Sequence, residues 1–188
     1  MPLSFPTQSS GKTLIQNVSM RLRRTVAVTE SPFTYDQQVF EHQGARWEAE
    51  VTLRPLSHSE ARSVEAFIVA LKGRSGTFNF GHPLHNISKS ISLSAATAVR
   101  DETISATGDA VDAGNYFQLG DYLYMVTDDF SGSGSMSVQP PIRQVIADAT
   151  QLDFSLPQST WRMSSNDIGW STDVASTYGF TFAFIEAI

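Results

Sequence analysis

Cysteine is absent from the 188 residues. That excludes a disulfide framework and any thiolate metal site, and leaves burial or association with other chains to hold the fold. Charge is sparse at 17%, and 13 Lys and Arg are outnumbered by 19 Asp and Glu, for a net charge of −6. Phosphate binding needs a basic face, so specific nucleic-acid binding is not expected. Long apolar runs are missing as well. Residues 1–13, MPLSFPTQSSGKT, hold two prolines and no continuous apolar stretch, and no later run approaches a membrane span, so a soluble, unprocessed chain without membrane insertion is expected. The spacings GxSxG, GxGxxG and the P-loop are absent too. Of the four histidines only His82 and His85 are close, in GHPLHN, and an HxxH pair with no third ligand beside it is no metal site. DDFSGSGS lacks the alternating carboxylates and closing Glu of a calcium loop. No catalytic residue, metal or cofactor is expected, and the chain reads as a non-enzyme.

What is present is concentrated in residues 44–83. Trp47, Ala49, Val51 and Leu53 alternate with Arg46, Glu48, Glu50 and Thr52, the period of a strand with one buried and one wet face. Ser57 to Glu60 spells a capping box, in which the Glu60 carboxylate reaches back to the Ser57 N–H. Ala61, Val64, Phe67, Ile68 and Leu71 follow at helical spacing and Gly73 supplies a left-handed end, which predicts a helix over 57–72 with one face in a core.

The rest reads as β-structure. Residues 17–29 alternate as a long strand in which Arg24 falls on the apolar side, predicting a bulge or a core edge there. Residues 35–43 form a second strand that pairs back on it. Residues 1–12 make an arm ordered only where something holds it. Residues 84–151 carry five or six short strands with turns such as DAGN and SGSGS, the pattern of a small barrel, of which the OB type is one candidate. Phe180, Phe182 and Phe184 then share one face of the last strand, and Thr181, Ala183 and Ile185 the other. Such a strand should be interior and covered on both sides. The expected fold is therefore mainly β (α+β). A sandwich-like main domain of residues 1–83 and 152–188 carries one packed helix, and residues 84–151 are an inserted OB-like barrel.

Two surfaces stand out as binding candidates. Arg21 and Arg23 share the wet face of the first strand and form a subunit interface, to which Arg46 also belongs, where they pair with the acidic Glu48 and Glu50 of a neighbouring copy or strand. Tyr122 and Tyr124 share a face beside the 128–135 loop, a platform for a glycan if the chain is a carbohydrate- or receptor-binding module. Aromatics at period two also serve as core.

In order, the segments GARWEAEVTLRPLSHSEARSVEAFIVALKGRSGTFNFGHP, LGDYLYMVTDD, QPPIR and DIGWSTDVASTYGFTFAFIEAI resemble tailed-phage virion proteins of the distal-tail and tail-tip class. That group shares an aRWe strand, a helix-to-strand unit ending in GtF..G.P, a GD.L..V hairpin, a PP.R segment and a YG.sF...E ending. The resemblance implies a structural protein, a distal tail protein whose hexameric ring joins the tail tube protein to the tail hub protein. Fibre or receptor-binding proteins attach to its outer side. It also implies a place in the virion, at the tail tip or baseplate, after assembly in the bacterial host cytoplasm. In many members the barrel domain follows the ring-forming domain, whereas here the last strand returns to the first domain.

Overall fold

A computed structural model describes residues 3–9, 12–83, 85–167, 169–172 and 178–188. In chain order these form β1 (Leu3–Ser4), β2 (Gln8–Ser9), β3 (Lys12–Thr13), β4 (Ile15–Glu30), β5 (Gln37–Leu53), α1 (His58–Leu71), β6 (Phe78–Phe80) and β7 (Ile91–Leu93). Then follow β8 (Thr103–Gly108), β9 (Tyr116–Leu119), β10 (Tyr122–Val126), β11 (Ser133–Gln139) and β12 (Gln151–Leu152). The last four are β13 (Ser159–Met163), β14 (Ser171–Thr172), β15 (Tyr178–Gly179) and β16 (Thr181–Glu186). Among the described residues the protein is mainly β with one helix, built on two six-stranded sheets, one of which closes almost into a barrel.

The first sheet runs β1-β6-β13-β16-β5-β4. Its order follows from apolar alternation: Trp47, Ala49, Val51 and Leu53 of β5, Phe182 and Phe184 of β16 and Phe180 just before it share one face and are all buried. Helix α1 lays Ala61, Val64, Ile68 and Leu71 on that face. Phe182 and Phe184 stack at 5.9 Å, and Phe78 meets Phe184 edge-on at 4.8 Å, geometries in which aromatic rings attract beyond their buried area. The Glu60 carboxylate accepts the Ser57 N–H at 3.1 Å and is clamped by Arg54 at 2.6 Å. The helix ends on Lys72 and Gly73, both left-handed.

Several expectations are corrected. β16 lies inside the sheet, but only one of its faces is covered: Thr181 and Ala183 are exposed. The N-terminal arm is held by its own chain, where β1 pairs in parallel with β6 and Phe5 is buried among Phe67, Phe78 and Phe80. Residues 1–2 and 10–11 of that arm, and Ile168 and residues 173–177 near the end of the chain, lie outside the described residues. The two strands expected over 35–43 and 45–53 are one, β5. The bulge expected at Arg24 is there: Arg24 pairs with Ala45 and Thr25 with His42, so Gln43 and Gly44 are left over on β5.

The second sheet runs β12-β7-β8-β11-β10-β9, every neighbour antiparallel. Gln118 and Asp153 exchange backbone hydrogen bonds of 2.8 and 3.0 Å, which brings β9 back to the end of β12 and closes the ring of strands. Its interior is filled by Phe117, Tyr124, Val126, Met136, Val138 and Phe154, among others. The tight turn from β9 to β10 needs Gly120, whose φ is +64° and whose site would drive a Cβ into the Gln144 side chain. The 128–135 segment is less of a loop than its composition implies. Phe130 is buried and bridged to Val111, and Ser133 already belongs to β11.

Candidate functional site

The most conspicuous surface is the outer half of the β4/β5 hairpin. Beyond the bulge, Thr25 to Glu30 pair only with Gln37 to His42, forming a two-stranded arm that extends past the sheet. Every residue from 23 to 44 except Ser31 is exposed. Val28 stands opposite Val39, and Ala27 opposite Phe40, so the two faces of the ribbon each carry apolar groups. Val28 is 56%, Val39 61%, Phe40 58% and Phe33, at the tip, 91% exposed. An isolated ribbon has no core of its own, and clustered exposed apolar groups of this kind mark interaction sites.

Next to the arm lies the expected charged cluster, and here the structure changes its meaning. Glu48 lies on the polar face of β5 but is only 5% exposed. Arg21 reaches its Oε2 at 2.8 Å, Arg46 its Oε1 at 2.9 Å and Arg23 the same oxygen at 3.5 Å. Arg21 is in register with Glu48 on the adjacent strand, which is why the side chains meet. Arg21 and Arg23 therefore pair with Glu48 between neighbouring strands of one chain, one of the two expected possibilities. Glu50 is exposed opposite Ser19. Arg24, the guanidinium out of pattern, is neutralised by Glu41 at 2.6 Å. That pair edges a cleft of about 470 Å³ between the base of the arm and Val99, Arg100 and Ile142 of the barrel.

Burial pushes the Glu48 carboxyl up, but the hydrogen bonds and charges of Arg46 and Arg21 outweigh it and hold it below 4.5. The Arg54 hydrogen bond, with those of Ser57, brings Glu60 down to about 2. Depressed folded values mean that both groups contribute fully above 4.5 and lose that contribution as pH falls below it, Glu60 as pH approaches about 2. Urea midpoints should fall through this window, and less steeply in Glu60→Gln; a parallel fall in the variant counts against the clamp.

The tyrosines occupy different environments. Tyr124 is 0% exposed, stacked on Phe117 at 5.7 Å, with its hydroxyl accepting the Arg143 N–H at 3.2 Å. It fills the barrel and cannot touch a glycan, the outcome that period-two aromatics allow. Tyr122 is half-buried under the Arg143 guanidinium, 5.1 Å from the ring centre. Tyr124→Phe should cost about 1 kcal/mol by stranding the Arg143 N–H, read as a fall of roughly 2–4 °C in Tm.

One cluster was missed. Glu186 has a fully buried side chain, its Oε2 accepts the Trp47 N–H at 3.0 Å, and its Oε1 lies 2.7 Å from Nη1 of Arg143. Arg143 also donates to the Ala45 carbonyl at 2.9 Å, and the Trp47 indole donates to the Leu123 carbonyl at 2.9 Å. These bonds tie the barrel to the first sheet. The signal was in the sequence: Phe180, Phe182, Phe184 and Glu186 continue one period-two face.

His82 stacks on Tyr116 at 5.6 Å and His85 meets the same ring edge-on, and burial lowers the pKa of both. Among the described residues no group of three His, Asp or Glu is placed to hold a metal, and no helix is long and apolar enough to cross a membrane. Neither a protein-family model nor a curated protein sequence matches the chain.

Proposed function

We propose that the chain is a structural component of a phage tail, a distal tail protein. Its copies form a ring, expected to be a hexamer, that joins the tail tube to the tip hub and carries fibre or receptor-binding proteins. The observation that carries this reading is the bare β4/β5 arm, whose apolar side chains on both faces have no partner surface within the described residues. β4 is also the edge of the first sheet, sixteen residues long, and an edge of that length is a template for another chain. Contacts between unlike surfaces of successive copies generate a ring when the rotation closes. The motif order of the sequence selects the phage tail as the setting.

Size-exclusion chromatography with light scattering tests the assembly. A closed species of six chains of 20.6 kDa each is expected, with annular particles by electron microscopy. A strict monomer at the highest reachable concentration overturns it.

A further inference from the structure

The charge of the chain is unevenly divided. Residues 91–154, which build the barrel, carry nine Asp and Glu against two Arg, a net −7 in a chain whose total is −6. All nine acidic residues are exposed, and among the described residues none of them enters an ion pair. Asp109, Asp112, Asp128 and Asp129 flank the Val111–Phe130 bridge at one end of the barrel.

The opposite excess sits on the uncovered face of the first sheet. Arg162, Ile185, Glu48 and Arg21 form one cross-strand row, and Arg23 stands directly opposite Arg46 in the next. Four arginines thus face two glutamates, Glu48 and Glu50, leaving two positive charges in excess. Like charges directly opposite on a sheet destabilise it, and the single carboxylate of Glu48, already shared by three guanidinium groups, compensates only in part. The same face leaves Ser19, Thr181 and Ala183 open.

We propose that this arginine face is the docking surface for the acidic end of the barrel of a second copy of the chain. Complementary charge carries the assignment: an uncovered basic face that Glu48 balances only in part and an acidic loop cluster that enters no ion pair among the described residues belong to the same polypeptide, on different units. A contact between two unlike surfaces is head-to-tail, so the proposal rests on the ring reading and names one of its contacts. The Arg23–Arg46 juxtaposition, unfavourable in one chain, becomes favourable once carboxylates of the next copy lie over it.

Sedimentation velocity on the full chain at about 0.05 M and about 0.5 M salt reads the contact. Wild type should associate more weakly at the higher salt. Arg23→Glu should weaken association roughly tenfold at low salt. Asp112→Lys with Asp128→Lys, at exposed side chains that hold nothing in the fold, should do the same. A chain with all three substitutions should recover to within about threefold of wild type. Unaltered association in both reversed chains, or no recovery in the triple variant, overturns the contact while leaving the ring reading standing. A wild type that stays monomeric at every concentration removes both. If Arg23→Glu keeps its association but loses wild-type binding to a DNA duplex, the face serves nucleic acid and the proposal falls.

Discussion

Arg143→Met will lower the stability of the folded chain by about 3–5 kcal/mol, the range for breaking a buried ion pair from one side. The Glu186 side chain is fully buried and Oε1 has no other partner than the guanidinium 2.7 Å away. Removal of that guanidinium leaves a carboxylate in the core of the joint, at the same time as the Ala45 carbonyl loses its donor and Tyr122 its cation. Equilibrium urea unfolding should show the loss as an earlier midpoint, and Tm should fall by roughly 10 °C. Adding Glu186→Gln should recover most of it, because a neutral amide oxygen still accepts the Trp47 N–H while no unpaired charge remains. If Arg143→Met with Glu186→Gln is no more stable than Arg143→Met alone, the charge of Glu186 is not what the guanidinium balances.

How much of this was legible depended on what kind of signal a residue leaves. Burial by alternation is a local signal, and Trp47, Ala49, Val51, Leu53 and Phe180, Phe182, Phe184 announced both the strands and their shared core. Arg24 announced its bulge because a guanidinium on an apolar face has to go somewhere, and a register shift with Glu41 as partner is where it goes. Glu48 left a misleading signal. Its position on the polar side of β5 is as the alternation has it, but long arginine side chains from its own and the adjacent strand fold over it, and that cover depends on a register that single-strand periodicity does not contain. Glu186 was legible: a carboxylate that continues an aromatic face calls for a buried partner, and Arg143 is one of the barrel's two arginines. The arm was half legible. Two strands joined by Ser31-Pro32 predict a hairpin, but nothing in 25–44 states that the sheet ends at the bulge and leaves Val28, Val39 and Phe40 without cover.

Shortening that arm is the change with the largest expected effect on assembly. Replacing residues 26–41 by a two-residue Asn-Gly turn, so that Thr25 connects to His42 through a tight hairpin connection, keeps every strand pair on the core side of the bulge. The removed residues bury nothing in the rest of the chain, since all but Ser31 are exposed, so the melting temperature should move by no more than about 2–4 °C. Assembly should be lost, because clustered aromatic and aliphatic anchors of an interface carry about 2 kcal/mol or more each and their joint removal exceeds a hundredfold in affinity. Phe33→Ser with Phe40→Ser, which keeps the arm and removes both of its phenylalanines, should give the same monomer at a smaller structural cost. A chain lacking residues 26–41 that still forms the wild-type multimer shows that the bare ribbon is not what joins the copies, and it would move the ring contact to the remaining length of the β4 edge.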